Sequence, residues 1–293
     1  MTIQLLVDGI ISGSAYALVA LGFALIYNTT KIFHFAHGAI YTLSAYLFYT
    51  CYNLWNWPFF AAIILTIVVI SILGIAIDEI IYMPLVRKKA SSLIHLLSSL
   101  GLYIVIINLI AMVYGNDTKV LNPGVQTTYS IGPVIFTKIR VATLISFIVL
   151  LGSLILLLRR TRLGKTLRAM RDDPDLISVI GINPQIAHKT VFAIGSSLAA
   201  VSAVLVALDS GIDPHIGMTA VQNSAVAAIV GGVGSFEGAA LGGLMLGLLQ
   251  SLAVWKISAQ WQNAITFLVL ILFLLFRPQG LIGSRRRVEE VRV

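Results

Sequence analysis

Residues 29–46 read TTKIFHFAHGAIYTLSAY. The stretch follows an apolar run at 9–27, close to the roughly twenty residues that a bilayer core demands. It carries Lys31, His34 and His37, and turns apolar again after Gly38. It is either a metal or proton site or a bend between two membrane segments. The H-x-x-H pair lacks the i, i+4 spacing and the glutamate of H-E-x-x-H. Zinc sites usually need three or four ligands. The stretch is therefore read as a bend, with no metal. Gly38 would permit close backbone approach, Lys31 would mark the membrane face, and His34 and His37 would lie near that interface.

The composition agrees with a membrane path. Of 293 residues, 58% are hydrophobic and 11% charged, and the mean hydropathy is +0.94. A soluble domain of ordinary composition is about 25% charged. The net charge of +8 then reports orientation rather than nucleic-acid binding, because basic loops mark the cytoplasmic side. A lone cysteine, Cys51, excludes an internal disulfide and a cysteine-based metal cluster. No basic residue precedes the first apolar run, so that run reads as a retained helix, not a signal peptide.

The fold class is an all-α polytopic membrane protein of eight to nine transmembrane or re-entrant helices with an internal repeat. Nine segments are expected, at 9–27, 36–54, 59–82, 93–113, 139–158, 189–209, 217–233, 236–255 and 261–276. Of these, 36–54 and 217–233 are the weakest. Alternating crossings put three basic clusters on one face together with Lys31. These are Arg87 to Lys89, Arg159 to Arg171, and Arg277 to Arg292. That face is assigned to the cytoplasm, with the N-terminus outside and the C-terminus inside. The opposite face keeps Lys119, Lys138, Arg140 and Lys256, and its longest connection, 114–138, is a polar loop turned by proline and glycine.

The chain 1–293 forms a single transmembrane domain, with a cytoplasmic loop at 159–188 and a basic tail at 277–293. In the loop, Leu163, Leu167 and Met170 share one face of a short helix. Asp173 and Pro174 read as N-cap and N1 of a second helix, with Gly181 as its C′ residue. Asn183 and Pro184 repeat the cap-and-start signal before the next span. Such a module suits the groove of a cytoplasmic partner as well as it suits an interfacial segment. Gly164-Lys165-Thr166 mimics the end of a phosphate-binding loop, but Arg159 stands where that motif needs glycine. ATP, if used, would be bound by another chain.

Two segments echo each other, SAYALVALG (14–22) and SAVAAIVGG (224–232). Transport sites tend to lie where related halves have short or glycine-interrupted segments. Ser14, Tyr16, Asn223 and Ser224 are the polar and aromatic path candidates there. Gly238, Gly242, Gly243 and Gly247 have G-x-x-x-G spacing, which favours helix packing. No paired aspartates, Ser-His pair or zinc motif sits within a span, so an enzyme is not expected. Charged groups at mid-membrane, which mark ion-coupled carriers, are almost missing from the spans.

At this point the chain resembles the permease subunits of branched-chain amino acid ABC importers, and is most similar to the shorter of their two permease types. The resemblance rests on GSAYALVALGFALIYN (13–28), FAHGAIYTLSAY (35–46), LRAMRDDPDLISVIGIN (167–183), FAIGSSLAAVSAVLVA (192–207), AAIVGGVGSFEGAALGGLMLGLLQ (227–250) and RPQGLIG (277–283). His34, Glu237 and Gln250 depart from its usual pattern. The resemblance implies a multi-pass protein of a bacterial or archaeal plasma membrane. It implies a second permease as heterodimer partner, two cytoplasmic ATPase subunits that hold ATP and magnesium, and an external binding protein. Arg168, Arg171, Asp172, Asp173, Pro174 and Gly181 would couple to the ATPases. His37, Gly38, Gly231, Gly232 and Gly234 would join the path candidates. The implied cargo is a branched-chain or other apolar amino acid, with urea, short amides or other amino acids carried by related permeases.

Overall fold

A computed structural model describes residues 2–121, 128–132, 134–172 and 183–282. Its helices are α1 (Thr2–Thr30), α2 (His37–Tyr49), α3 (Phe59–Arg87) and α4 (Ser92–Tyr114). They continue with α5 (Lys138–Arg160), α6 (Arg162–Asp172), α7 (Pro184–Ser210), α8 (Ile216–Gly231), α9 (Phe236–Val254) and α10 (Gln262–Phe276). Among the described residues, seven of these regions are long and apolar enough to cross a membrane, and α8 is a shorter apolar helix. All nine expected segments are helical. The two weak ones are the short helices α2 and α8, and α2 runs on through a π turn at Thr50–Leu54.

Burial sorts the helices. In α1, 83% of the apolar window is buried, and in α7 72%, whereas in α10 the figure is 6%. The first two are therefore the axis of the bundle and the last is its periphery. Lipid tails are as apolar as leucine, so helix association rests on close packing rather than on hydrophobic drive. Accordingly α1 and α9 meet along a seam of small residues. A methyl at Gly13 would collide with the backbone of Leu244, and one at Gly243 with the backbone of Ala17. The expected packing role of Gly243 and Gly247 is borne out on this seam. Gly242 and Gly238 instead pack on Ala227 and Gly231 of α8.

The chain folds as two halves of opposite direction. In each half a long helix is followed by a short one, α1 (29 residues) by α2 (13) and α7 (27) by α8 (16). The contacts exchange accordingly: α1 packs on α9 as α7 packs on α3, and α2 packs on α7 as α8 packs on α1. Gly38, at the start of α2, and Gly217, at the start of α8, each face the other's carbonyl oxygen so closely that a Cβ on either would collide. The internal repeat thus relates α1 to α7 and α2 to α8. The echoing segments 14–22 and 224–232 lie in α1 and α8, which are not equivalent, so that similarity is one of composition.

Among the described residues the basic positions Lys31, Arg159, Arg171 and Arg277 gather at one end, as expected. Lys31 Nζ donates to the Arg171 carbonyl at 3.5 Å, Arg171 donates to the Gly234 carbonyl at 3.0 Å, and Leu281 N donates to the Val230 carbonyl. The opposite end carries a hairpin that the polar connection 114–138 did not announce, β1 (Thr128–Ile131) and β2 (Val134–Thr137), with Thr128 opposite Thr137. Gln4 holds it to α1 by accepting from Ile135 N and donating to its carbonyl, both at 2.9 Å.

Candidate functional site

Helix α1 presents one continuous stripe. Tyr16, Phe23 and Tyr27 stand at i, i+7 and i+11, which a period of 3.6 puts on one face. At the hairpin end the stripe continues as Leu5, Asp8 and Ser12. These residues and Tyr16 form one wall of a cleft of about 220 Å³, closed by Arg140 of α5, by Gly247, Gln250, Ser251 and Val254 of α9, and by Gln262. At the basic end Phe23, Ala24, Tyr27 and Asn28 line a crevice of about 60 Å³ with Phe33 and with Ala228, Ile229 and Gly232 to Gly234. Between the two recesses α1 is sealed. Ala17 packs on Gly243, and Ala20 sits among Val221, Ala225 and Leu246.

The cleft at the hairpin end is the polar part of the stripe. Arg140 bridges two carboxylates, Asp8 at 2.6 Å and Asp209 at 3.5 Å. Behind them lies a buried network across α8, α9 and α10. Gln250 Nε2 donates to Thr266 Oγ1 at 2.5 Å and to Asn223 Oδ1 at 3.4 Å. Exposed polar side chains on a spanning helix are costly against lipid, so they mark a water-filled or protein-covered face.

The expected path residues divide. Tyr16 fronts the cleft, and Gly232 and Gly234 front the crevice. Asn223 stands one hydrogen bond behind Gln250. Ser14 and Ser224 are buried and donate to their own helices, at Ile10 and Val221. Gly231 is a packing residue against Gly238, and Gly38 one against Gly217. Asp8, Arg140, Gln250 and Thr266 were missed as site residues. The spacing of Asp8, Ser12 and Tyr16 was a readable signal, since each is four residues from the next. Arg140 lies 132 positions from Asp8, and no local pattern joins them.

His34 and His37 overturn one expectation. Both are fully buried rather than placed at the membrane interface. Residues 31–36 turn back into the bundle, so His37 packs beside Gly22, two turns inside α1. His34 Nδ1 is 2.8 Å from the Tyr82 hydroxyl, and its ring meets His37 and Phe192 edge-on. Among the described residues no group of three metal-ligating side chains gathers here or elsewhere.

At the basic end α6 packs with Leu167 and Met170 buried, but Leu163 is 39% exposed. The inward face is shifted by one residue, because Gly164 lies against the carbonyls of Leu157 and Leu158. Arg171 ties this helix to Gly234, the lip of the crevice. Arg168 opens on a recess with Arg159, Phe236 and Glu237. Asp172 ends the helix. Asp173, Pro174 and Gly181 lie outside the described residues, as do 283–293 of the tail. The chain resumes where expected. Asn183 caps α7 by accepting from Gln185 N at 2.9 Å, with Pro184 in its first turn. One turn on, His188 meets buried Asp78 at 3.3 Å and Lys189 pairs with Glu79. Both acidic partners sit in a π stretch of α3, Asp78–Tyr82, a distortion frequent at functional positions.

Comparison with known proteins agrees with these features. A family profile described as the permease component of branched-chain amino acid transport systems matches residues 5–274. The high-affinity branched-chain amino acid transport system permease protein BraD of Pseudomonas aeruginosa is 35% identical, over 99% of this chain and 98% of its own. The corresponding LivH of Escherichia coli K12 is 31% identical, over 99% and 97%. A probable LivH of Methanocaldococcus jannaschii is 26% identical, over 96% and 92%. Among solved structures, PsaBC from Streptococcus pneumoniae in complex with Fab has a similar fold, with a TM-score of 0.53 at 12% identity. The match covers 93% of this chain and 91% of that one.

Proposed function

Because the chain belongs to the family of branched-chain amino acid transport permeases, we propose that it moves branched-chain or other apolar amino acids inward as one membrane-spanning subunit of an ATP-binding-cassette importer. The reading is carried by the α1 stripe. One helix face joins a polar cleft at one end to a crevice at the other, and the lip of the crevice is held by the basic helix of the 159–188 loop. In this reading the basic end faces the cytoplasm of a bacterial or archaeal inner membrane. A second permease covers the polar face of α1, two ATPase subunits that hold ATP and magnesium engage the 159–188 loop, and an external binding protein delivers cargo at the hairpin end.

The chemistry asked of this chain is positional. A largely uncharged middle suits an apolar side chain, while polar groups near helix ends meet the charged ends of the cargo. Work comes from outside: the loop contains α6 and the start of α7. A pull on it reaches the crevice through Arg171 and reaches α3 through Asp78 and Glu79. The test is uptake of labelled leucine by proteoliposomes that hold the permease pair, with and without the ATPases and binding protein. ATP-dependent accumulation is expected. Accumulation that needs no ATPase and follows a proton gradient overturns the reading. Charge reversal at Arg168 or Asp173 is expected to leave ATP hydrolysis running while uptake fails, and normal uptake in both removes their coupling role.

A further inference from the structure

The cleft at the hairpin end contains acceptors and donors in the order that an amino acid headgroup needs. Arg140 uses Nη1 on Asp8 and Nε on Asp209. Its Nη2 makes no hydrogen bond among the described residues, and neither does the second oxygen of Asp8. One guanidinium between two carboxylates leaves the triad with an excess negative charge, which favours an incoming ammonium. Gln250 is 3% exposed and lines the same cleft. Its Nε2 is committed to Thr266 and Asn223. Its amide oxygen has no partner among the described residues and, with the nitrogen turned to the network, is the atom left for the cleft. An amide oxygen accepts hydrogen bonds, so it can take one from a ligand or water in the cleft. Leu5 and Val254 supply an apolar wall beside these groups.

We infer that this cleft is a binding site for the zwitterionic headgroup of an α-amino acid, and this rests on the transport reading above. The ammonium lies against Asp8 and the Gln250 oxygen. The carboxylate lies against Arg140, with the Tyr16 and Ser12 hydroxyls in the same wall. The side chain rests on Leu5 and Val254. The zwitterion lies alongside the Asp8–Arg140 pair, on the second Asp8 oxygen and on Nη2, so each charge has an opposite partner and the site gains no net charge on binding. The polar wall stands on α1, at the start of the stripe that leads to the crevice at the basic end.

The experiment uses the complete importer in proteoliposomes with its binding protein, and measures labelled leucine uptake and ATP hydrolysis together. Gln250→Leu and Asp8→Asn are expected to lower uptake by about tenfold or more, the worth of one charge-assisted hydrogen bond. ATP hydrolysis stays near wild type, so ATP used per leucine rises. Gln250→Glu keeps an acceptor in the cleft and is expected to retain most uptake. The site is overturned if Gln250→Leu and Asp8→Asn carry leucine at the wild-type rate. It is also overturned if uptake and hydrolysis fall together and Gln250→Glu falls with them, since that is the mark of a merely structural contact. If the wild-type importer carries a short amide or urea and no leucine, the transport reading itself fails, and the zwitterion assignment with it.

Discussion

Gly217→Ala tests the contact on which the two halves turn. A methyl there would overlap the Gly38 carbonyl and the Thr42 hydroxyl. That hydroxyl accepts the Gly217 N–H at 3.1 Å and donates to the Gly38 carbonyl at 3.2 Å. Overpacking of this kind costs roughly 1–3 kcal/mol, and losing the hydrogen bond adds about 1 kcal/mol. Alanine returns up to about 1 kcal/mol of helix propensity, so the net loss is roughly 1–3 kcal/mol. Gly152 of α5 is the internal control, because a Cβ there meets nothing within 4 Å. Gly152→Ala should gain up to about 1 kcal/mol. The two variants then differ by roughly 1–4 kcal/mol, or at least about 2 °C in melting temperature by the scaling of large domains. The assay is thermal unfolding of the purified chain in detergent, followed by size-exclusion chromatography of the surviving fraction. A Gly217→Ala variant that melts at or above Gly152→Ala refutes the close approach of α2 and α8.

Three further outcomes are expected. Asp78→Ala removes the partner of His188 inside the bundle and should cost about 1–3 kcal/mol, read as a lower melting temperature in the same assay; no change would mean that the two side chains do not meet. His34→Asn should leave leucine transport intact, whereas His34→Ala, which removes one of the partners of the Tyr82 hydroxyl, should lower melting by a similar 1–3 kcal/mol equivalent, about one buried hydrogen bond; loss of transport in the Asn variant with normal stability would reopen a chemical role for this ring. Glu237→Gln breaks the pair with Arg159, whose side chains are 43% and 65% exposed, so stability should shift by less than about 1 kcal/mol; a larger loss would show that this pair is held away from solvent.

Much of this architecture is legible in the sequence, because lipid constrains sequence more tightly than water does. Every backbone polar group must be satisfied within its own segment, so spans appear as apolar runs of countable length, and the clustering of Lys31, Arg87, Arg171 and Arg277 at one end followed from counting crossings. Caps are local too, and Asn183-Pro184 could be read as a helix start because both signals lie within three residues. What local pattern could not carry was pairing at a distance. The hairpin β1–β2 was invisible in a connection read as turns. The histidines were misplaced because a bend at 31–36 reads the same whether it lies on the membrane face or folds back beneath it. The packing of Gly22 beside His37, and of Gly38 on Gly217, decides between these.

The class of protein, the helical segments, the basic end and the family are all local properties of the chain, since each depends on composition, period or a contiguous motif. Which helices are equivalent, which candidates front a recess and which are packing depends on how the helices cross. Ser14 and Tyr16 are two residues apart on α1, yet their side chains point about 200° apart around a helix of 3.6 residues per turn. One is spent on its own backbone, and the other opens on the cleft. Arg140, Asp8 and Asp209 come from three helices, and Gln250, Asn223 and Thr266 from three others. Their meeting is a property of how the helices cross, and no segment of the chain contains it.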